Sequence, residues 1–172
     1  MFIKRMAGQV YIDKTREYLD YLEEHLENVR RAFQMISEAC KGMWWVSDDY
    51  QWHMFRSEVE WHDISKFSQA EFIPYVSQFF PTDHEPMEWP ENGFDKAWEH
   101  HKKNNHHHHE TVKTYMDVVH MVIDWTAMGY KFNDTAEKYY EKNKEKIKLS
   151  KEHKKFLNEI FERLKAVRHL AR

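Results

Sequence analysis

A chain of 172 residues with 41% hydrophobic side chains has apolar material for one domain core, and one domain is expected. Its single cysteine, Cys40, excludes an intrachain disulfide and a cysteine-rich zinc site. A formal net charge of −3 with both signs interspersed offers no footprint for a nucleic-acid backbone, although residues 138–155 are locally basic, so no long nucleic acid is expected as a partner.

The start, MFIKRMAGQVYIDK, lacks the apolar run of a secretory signal, and the most apolar stretch, VVHMVIDWTAMGY, is interrupted by His120 and Asp124. No membrane association is expected, and the location expected is cytoplasmic. Only four glycines and four prolines punctuate the chain, which argues for long helices.

Tyr18, Leu22, Leu26, Val29, Phe33 and Ile36 recur at helical spacing, with His25 on or beside that apolar stripe. Gly42 is the expected stop. An aromatic connection, MWWVSDDYQW, leads to a second helix expected over residues 51–66, with Phe55, Val59 and His62 on one face. Ser68, followed three residues later by Glu71, has the chemistry of a capping box for a third helix that Pro81 closes. The segment PTDHEPMEWPENG reads as one long irregular loop, a candidate lid. A short helix around FDKAWEHHKK precedes NNHHHHE. Val112, Tyr115, Met116, Val119 and Ile123 then mark a core helix in which His120 and Asp124 lie one turn apart, with Gly129 as its expected stop. Two last helices are expected over 134–146 and from Ser150, which caps the second, to about His169.

The unusual part of the composition is thirteen histidines, the residue that most often ligates metals and titrates near neutral pH. His62-Asp63 can offer an imidazole nitrogen and a carboxylate oxygen to one cation. His25 and Asp124 add an imidazole and a carboxylate in apolar settings, where an ionised aspartate needs a partner. Together they form the type of set a helical bundle uses to hold a metal in its core. The residues alone leave a second reading open, a hydrogen-bonded core histidine and a salt-bridged aspartate. His100-His101 and the run His106 to His109 place six imidazoles within ten residues. About two or three of them at most can be ligands of one ion, leaving others to contact phosphate or shuttle protons, and the other reading of the run is a solvated, low-complexity loop. Lys66, one helical turn beyond His62, would project on the side of the metal pair and can place its ammonium against a substrate phosphate, although by itself it reads more commonly as an ordinary surface lysine. Most aromatics read as core, with Trp61 or Trp98 able to stack on a base.

The ordered set His25, His62-Asp63 and Asp124 resembles the His, His-Asp, Asp signature of the HD-domain superfamily, and HDISK is close to its His-Asp-Ile-Gly-Lys form. Closer still is a resemblance to a family of phage and bacterial proteins known only as a domain of unknown function. It runs through EHLENV, HDISKFSQAEFIPY, AWEHHKKNNHH, DWTAMG and AEKYYEKNKEKIKL, in that order, over roughly residues 20–150. The superfamily resemblance implies an all-α, single helical bundle of about six or seven helices, with a core over about 15–150 and a C-terminal helix over about 150–170. It implies a phosphohydrolase acting on a small nucleotide or related phosphorylated metabolite through metal-activated water. Its cofactor would be one or two divalent ions, drawn from Mn, Fe, Co, Ni, Zn and Mg. The implied primary ligands are His25, His62, Asp63 and Asp124. His100, His101 and a pair from the histidine run, His106 with His107 or His107 with His108, would be candidates for a second ion. Asp63, Lys66 and His101 are the implied catalytic groups. Two other readings stay open, a di-iron oxygenase on the same fold and a non-catalytic phage-type protein that binds a nucleotide or a host factor. A homo-oligomer is compatible with all three.

Overall fold

The computed structural model describes residues 6–82 and 93–170. Among them every regular element is helical: α1 (Ala7–Ala39), α2 (Trp44–Ser47), α3 (Asp49–Glu60), a 3-10 turn (Ile64–Phe67), α4 (Phe72–Phe79), α5 (Gly93–Asn104), α6 (Tyr115–Phe132), α7 (Ala136–Asn143) and α8 (Lys151–Leu170). The all-α expectation holds, with more helices than expected because the aromatic connection contributes α2. No helix among the described residues is long and apolar enough to cross a membrane. The expected lid loop falls largely on residues 83–92, outside the described residues.

The chain divides into two compact units, Met1–Glu24 with Asp63–Asn104, and His25–His62 with Asn105–Arg172. The first has an aromatic core. Tyr18 and Leu22 of α1, Tyr75 and Val76 of α4 and Ala97 of α5 are buried together, packed by Tyr21, Phe72, Phe80 and Phe94. Tyr18 meets Phe72 edge-on at 5.4 Å between ring centroids. Pro74 sits in the first turn of α4, where a missing N–H costs no helical hydrogen bond.

The second unit is built on α6, whose residues 118–123 are buried on every side because the run VVHMVI is apolar almost throughout. Val29, Phe33 and Ile36 of α1, Phe55 and Val59 of α3 and Leu157, Ile160 and Leu164 of α8 complete its core. Thr114 and Asp117 close a capping box at the start of α6, and Ser150 Oγ accepts the His153 N–H at the start of α8, as expected.

Four local expectations are corrected. The helix expected over 51–66 stops at Glu60, and the chain turns through Asp63, whose φ of 57° is left-handed, into the separate 3-10 turn that carries Lys66. His62 and Lys66 therefore do not share one helix face. Ser68 and Glu71 form no capping box, since α4 begins at Phe72, the Ser68 hydroxyl is buried without a hydrogen-bond partner and Glu71 turns to histidines. Gly129 does not end α6. The helix runs on to Phe132 and ends at Asn133, left-handed at φ 52°. Gly129 is required for space, because a Cβ there would stand 2.6 Å from the Asp134 carbonyl oxygen.

Candidate metal centre

In the second unit His62 is the hub of a buried cluster. It lies just beyond α3, its N–H bonded to the Val59 carbonyl at 3.0 Å, so the final turn of the helix aims the ring. His62 Nε2 is 3.0 Å from His25 Nε2 and 3.5 Å from Asp124 Oδ1, and His25 Nε2 is 3.5 Å from the same oxygen. Two imidazole nitrogens and one carboxylate oxygen thus face a common point from α1, the turn after α3 and α6. The other nitrogen of His62, Nδ1, is 2.9 Å from His120 Nε2. His107 lies parallel to the His62 ring, with centroids 4.4 Å apart and planes 26° apart, and its centroid is 4.9 Å from that of His120.

All four histidines are at most 5% exposed. At such burial a ring nitrogen needs a proton, a lone-pair partner or a metal. Burial works to raise the Asp124 carboxyl. Its interaction with His62 and the charges that His107, His25 and His62 bring outweigh burial and hold it well below the usual carboxylate range.

The donor set fits a divalent ion. Ligand bonds of about 2.1 Å place neighbouring donors about 3.0 Å apart at right angles and about 3.4 Å apart in a tetrahedron, close to the 3.0, 3.5 and 3.5 Å separations among His25, His62 and Asp124. The nitrogens of His62, His107 and His120 also lie close enough together for one ion. A mixed nitrogen and oxygen set suits borderline first-row metals.

Outside this group, Glu58 Oε1 stands 3.6 Å from His120 Nδ1, an ion-pair separation, and the Glu58 carboxyl is lowered first by His120 and then by the charges of His106 and His107 against the opposing effect of burial. Within the histidine run His107 is buried and His106 exposed, with His108 and His109 half-buried. The run lies in an irregular turn between α5 and α6.

In the first unit Glu71, fully buried, accepts from two imidazoles of α5, His100 Nδ1 at 2.6 Å and His101 Nδ1 at 2.8 Å. Burial works to raise the Glu71 carboxyl, but hydrogen bonds from His101, His100 and Ser65 bring it below its ordinary range. With Nδ1 of His101 turned to Glu71, its Nε2 faces Asp63 Oδ1 at 3.4 Å. Lys66 Nζ donates to Asp63 Oδ2 at 2.6 Å and sits 5.5 Å from the centre of the Tyr75 ring. Burial works to lower the Lys66 ammonium, and Asp63 overrides it and raises it. The left-handed backbone of Asp63, unusual for a residue with a Cβ, is what turns its carboxylate between Lys66 and His101. Trp98 stacks on His101 at 5.6 Å, while Trp61 is 65% exposed.

His25, His62, His107 and Asp124 therefore meet in one unit, while Asp63, Lys66, His100 and His101 group in the other around Glu71. The sequence-based ligand set omitted His120, Glu58 and Glu71. His120 had a signal, its position one turn before Asp124 on the same helix. Glu71 had none, because its local pattern read as a cap.

A family described as being of unknown function, DUF5662, matches residues 14–167. The chain belongs to that family. The DUF5662 match spans every residue of both clusters, so the buried histidines and acids are part of the shared domain and not an appendage to it. No curated protein and no solved structure matches the chain.

Proposed function

We propose that the protein is a metal-dependent phosphohydrolase acting on a small nucleotide or a related phosphorylated metabolite, the chemistry implied by the HD-like order of His25, His62-Asp63 and Asp124. The observation that carries this reading is the approach of His25 Nε2, His62 Nε2 and Asp124 Oδ1 to within 3.5 Å of one another. These three side chains would hold the ion. A divalent ion bound there supplies Lewis acidity and a water ligand of lowered pKa. Asp124 brings the negative charge that keeps a cation in a buried imidazole cluster. In the superfamily pattern Asp63 is a further ligand and Lys66 faces the phosphate. Lys66 has three N–H donors, and a bond to Asp63 uses one of them. His101 stands between two carboxylates, with Nδ1 at 2.8 Å from Glu71 and Nε2 at 3.4 Å from Asp63, a position from which an imidazole can hold or pass a proton.

The test is the metal content of the purified protein, followed by a screen of nucleotides for phosphate release by the wild type and by Asp63→Asn. Release by the wild type and its loss in the variant support the proposal. A protein that binds metal but releases no phosphate from any nucleotide would refute it, and bound iron with oxygen consumption would place it among the oxygenases.

A further inference from the structure

One face of α3 keeps large apolar side chains open to solvent. Gln51, Met54, Glu58 and Trp61 recur at helical spacing along α3 and its C-cap, and with Phe55, Ser57 and Met116 of α6 they line a hollow of about 310 Å³. Met54 is 57% exposed, and Trp61 is the most exposed tryptophan among the described residues. Three links tie this hollow to the histidine cluster of the second unit. Its wall residue Phe55 stands edge-on to the His120 ring, with planes 88° apart. Met116 lies one helical turn before His120 on α6, about 6 Å along the axis. Trp61 directly precedes His62, and its N–H bonds the Glu58 carbonyl at 3.2 Å in the same turn that aims His62.

The lining chemistry selects one end of a ligand. Of the lining residues only Glu58 is charged, so a phosphate is repelled there while a neutral, donor-bearing ring is not. An exposed indole face stacks on a nucleobase, and methionine side chains adapt to its outline. The Glu58 carboxylate only accepts hydrogen bonds, through two oxygens side by side. Its side chain is half-exposed, with Oε1 3.6 Å from His120 Nδ1, which leaves acceptor capacity on the solvent side. The matching partner is a base edge with two adjacent donors. Guanine has one, N1–H beside the N2 amino group. Adenine and cytosine set a donor beside an acceptor, and uracil sets its donor between two acceptors.

We infer that the hollow beside His120 is a nucleobase subsite that prefers guanine. The Trp61 ring is the stacking platform, and the Glu58 carboxylate reads the N1–H and N2–H edge. The inference rests on the nucleotide reading of the proposed function and names the base of its substrate.

The experiment titrates the full chain with guanosine and with adenosine, binding being read by saturation-transfer NMR. Neither nucleoside has a phosphate ester, so the readout needs no turnover. Guanosine is expected to bind about tenfold more tightly than adenosine, the discrimination of a bidentate pair. Trp61→Ala should weaken both about tenfold by removing the stack and leave their ratio unchanged. Glu58→Gln sets a donor beside an acceptor, the complement of adenine, and should reverse the preference, a gain that misfolding cannot produce. Both side chains are more than half exposed, so neither change opens the core. Equal binding of the two nucleosides by the wild type would overturn the inference, as would a Glu58→Gln protein that still prefers guanosine. A wild-type dimer in sedimentation that Trp61→Ala dissociates, with no nucleoside bound, would overturn it too and assign the face to a second copy. Guanosine preference without phosphate release from any nucleotide would sink the proposed function alone, and phosphate release without base preference would sink this inference alone.

Discussion

His62 Nε2 lies 3.0 Å from His25 Nε2, although 37 residues separate the two in the chain. Two buried imidazoles at that separation either share one proton or share one cation, and Asp124 Oδ1, 3.5 Å from both nitrogens, favours positive charge between them.

Asp124→Asn keeps the size and hydrogen-bonding capacity of the side chain and removes its charge. Zinc affinity is expected to fall at least about tenfold. The rise in melting temperature that excess zinc gives the wild type should shrink accordingly, since a ligand stabilises only in proportion to its occupancy of the folded state. An equal zinc-induced rise in both proteins would show that Asp124 holds no metal.

Glu71 sets an acid limit on stability. Its folded carboxyl is lowered below the ordinary value of about 4.3 by His101, His100 and Ser65 against the effect of burial. A group with a depressed folded pKa stabilises the protein above its unfolded value, and that stability is lost as pH falls through the folded value. Urea midpoints of the wild type should therefore decline below about pH 4.3 more steeply than those of Glu71→Gln. At pH 7 the variant should be less stable by about 1–3 kcal/mol. Parallel pH profiles would contradict the assignment.

Gly129→Ala should destabilise the protein in spite of the better helix former. Alanine gains about 1 kcal/mol in a helix interior, but its Cβ would meet the Asp134 carbonyl oxygen at 2.6 Å, and that carbonyl belongs to backbone. Overpacking of this type costs about 1–3 kcal/mol. Asp134 N–H also bonds to the Gly129 carbonyl at 2.9 Å, which limits how far the loop can retreat. A chemical denaturation midpoint above that of the wild type would show that the loop yields freely.

Cys40 is fully buried beside α8, and burial, only partly offset by the Arg163 charge, pushes its thiol up to about 11. The thiolate is the reactive form. Iodoacetamide at pH 8 should leave the native protein almost unlabelled and modify it fully in urea, as mass spectrometry would show. Rapid native labelling would mean that this end of the core opens readily.

Most of the helices were legible in the sequence because their causes are local. The spacing of Tyr18 through Ile36 built α1, the apolar run VVHMVIDW built α6 and Ser150 capped α8. The local signals failed where a neighbour far away in the chain outweighed them. The pattern through residue 66 reads as one helix, yet the chain breaks after Glu60 and passes through the left-handed Asp63. Glu71 reads as a cap, yet a fully buried carboxylate is held by His100 and His101 from α5 instead.

For the candidate site, sequence alone determined which residue types were available and singled out His25, His62, Asp63 and Asp124 by their order and apolar surroundings. Tertiary structure decided that His107, and not its exposed neighbour His106, enters the cluster of the second unit, that His120 joins it and that Glu58 stands behind it. The physical reason is range. Helical period and capping act over a few residues, whereas a metal site depends on lone-pair directions at separations near 3 Å, which only the packing of α1, α3 and α6 sets.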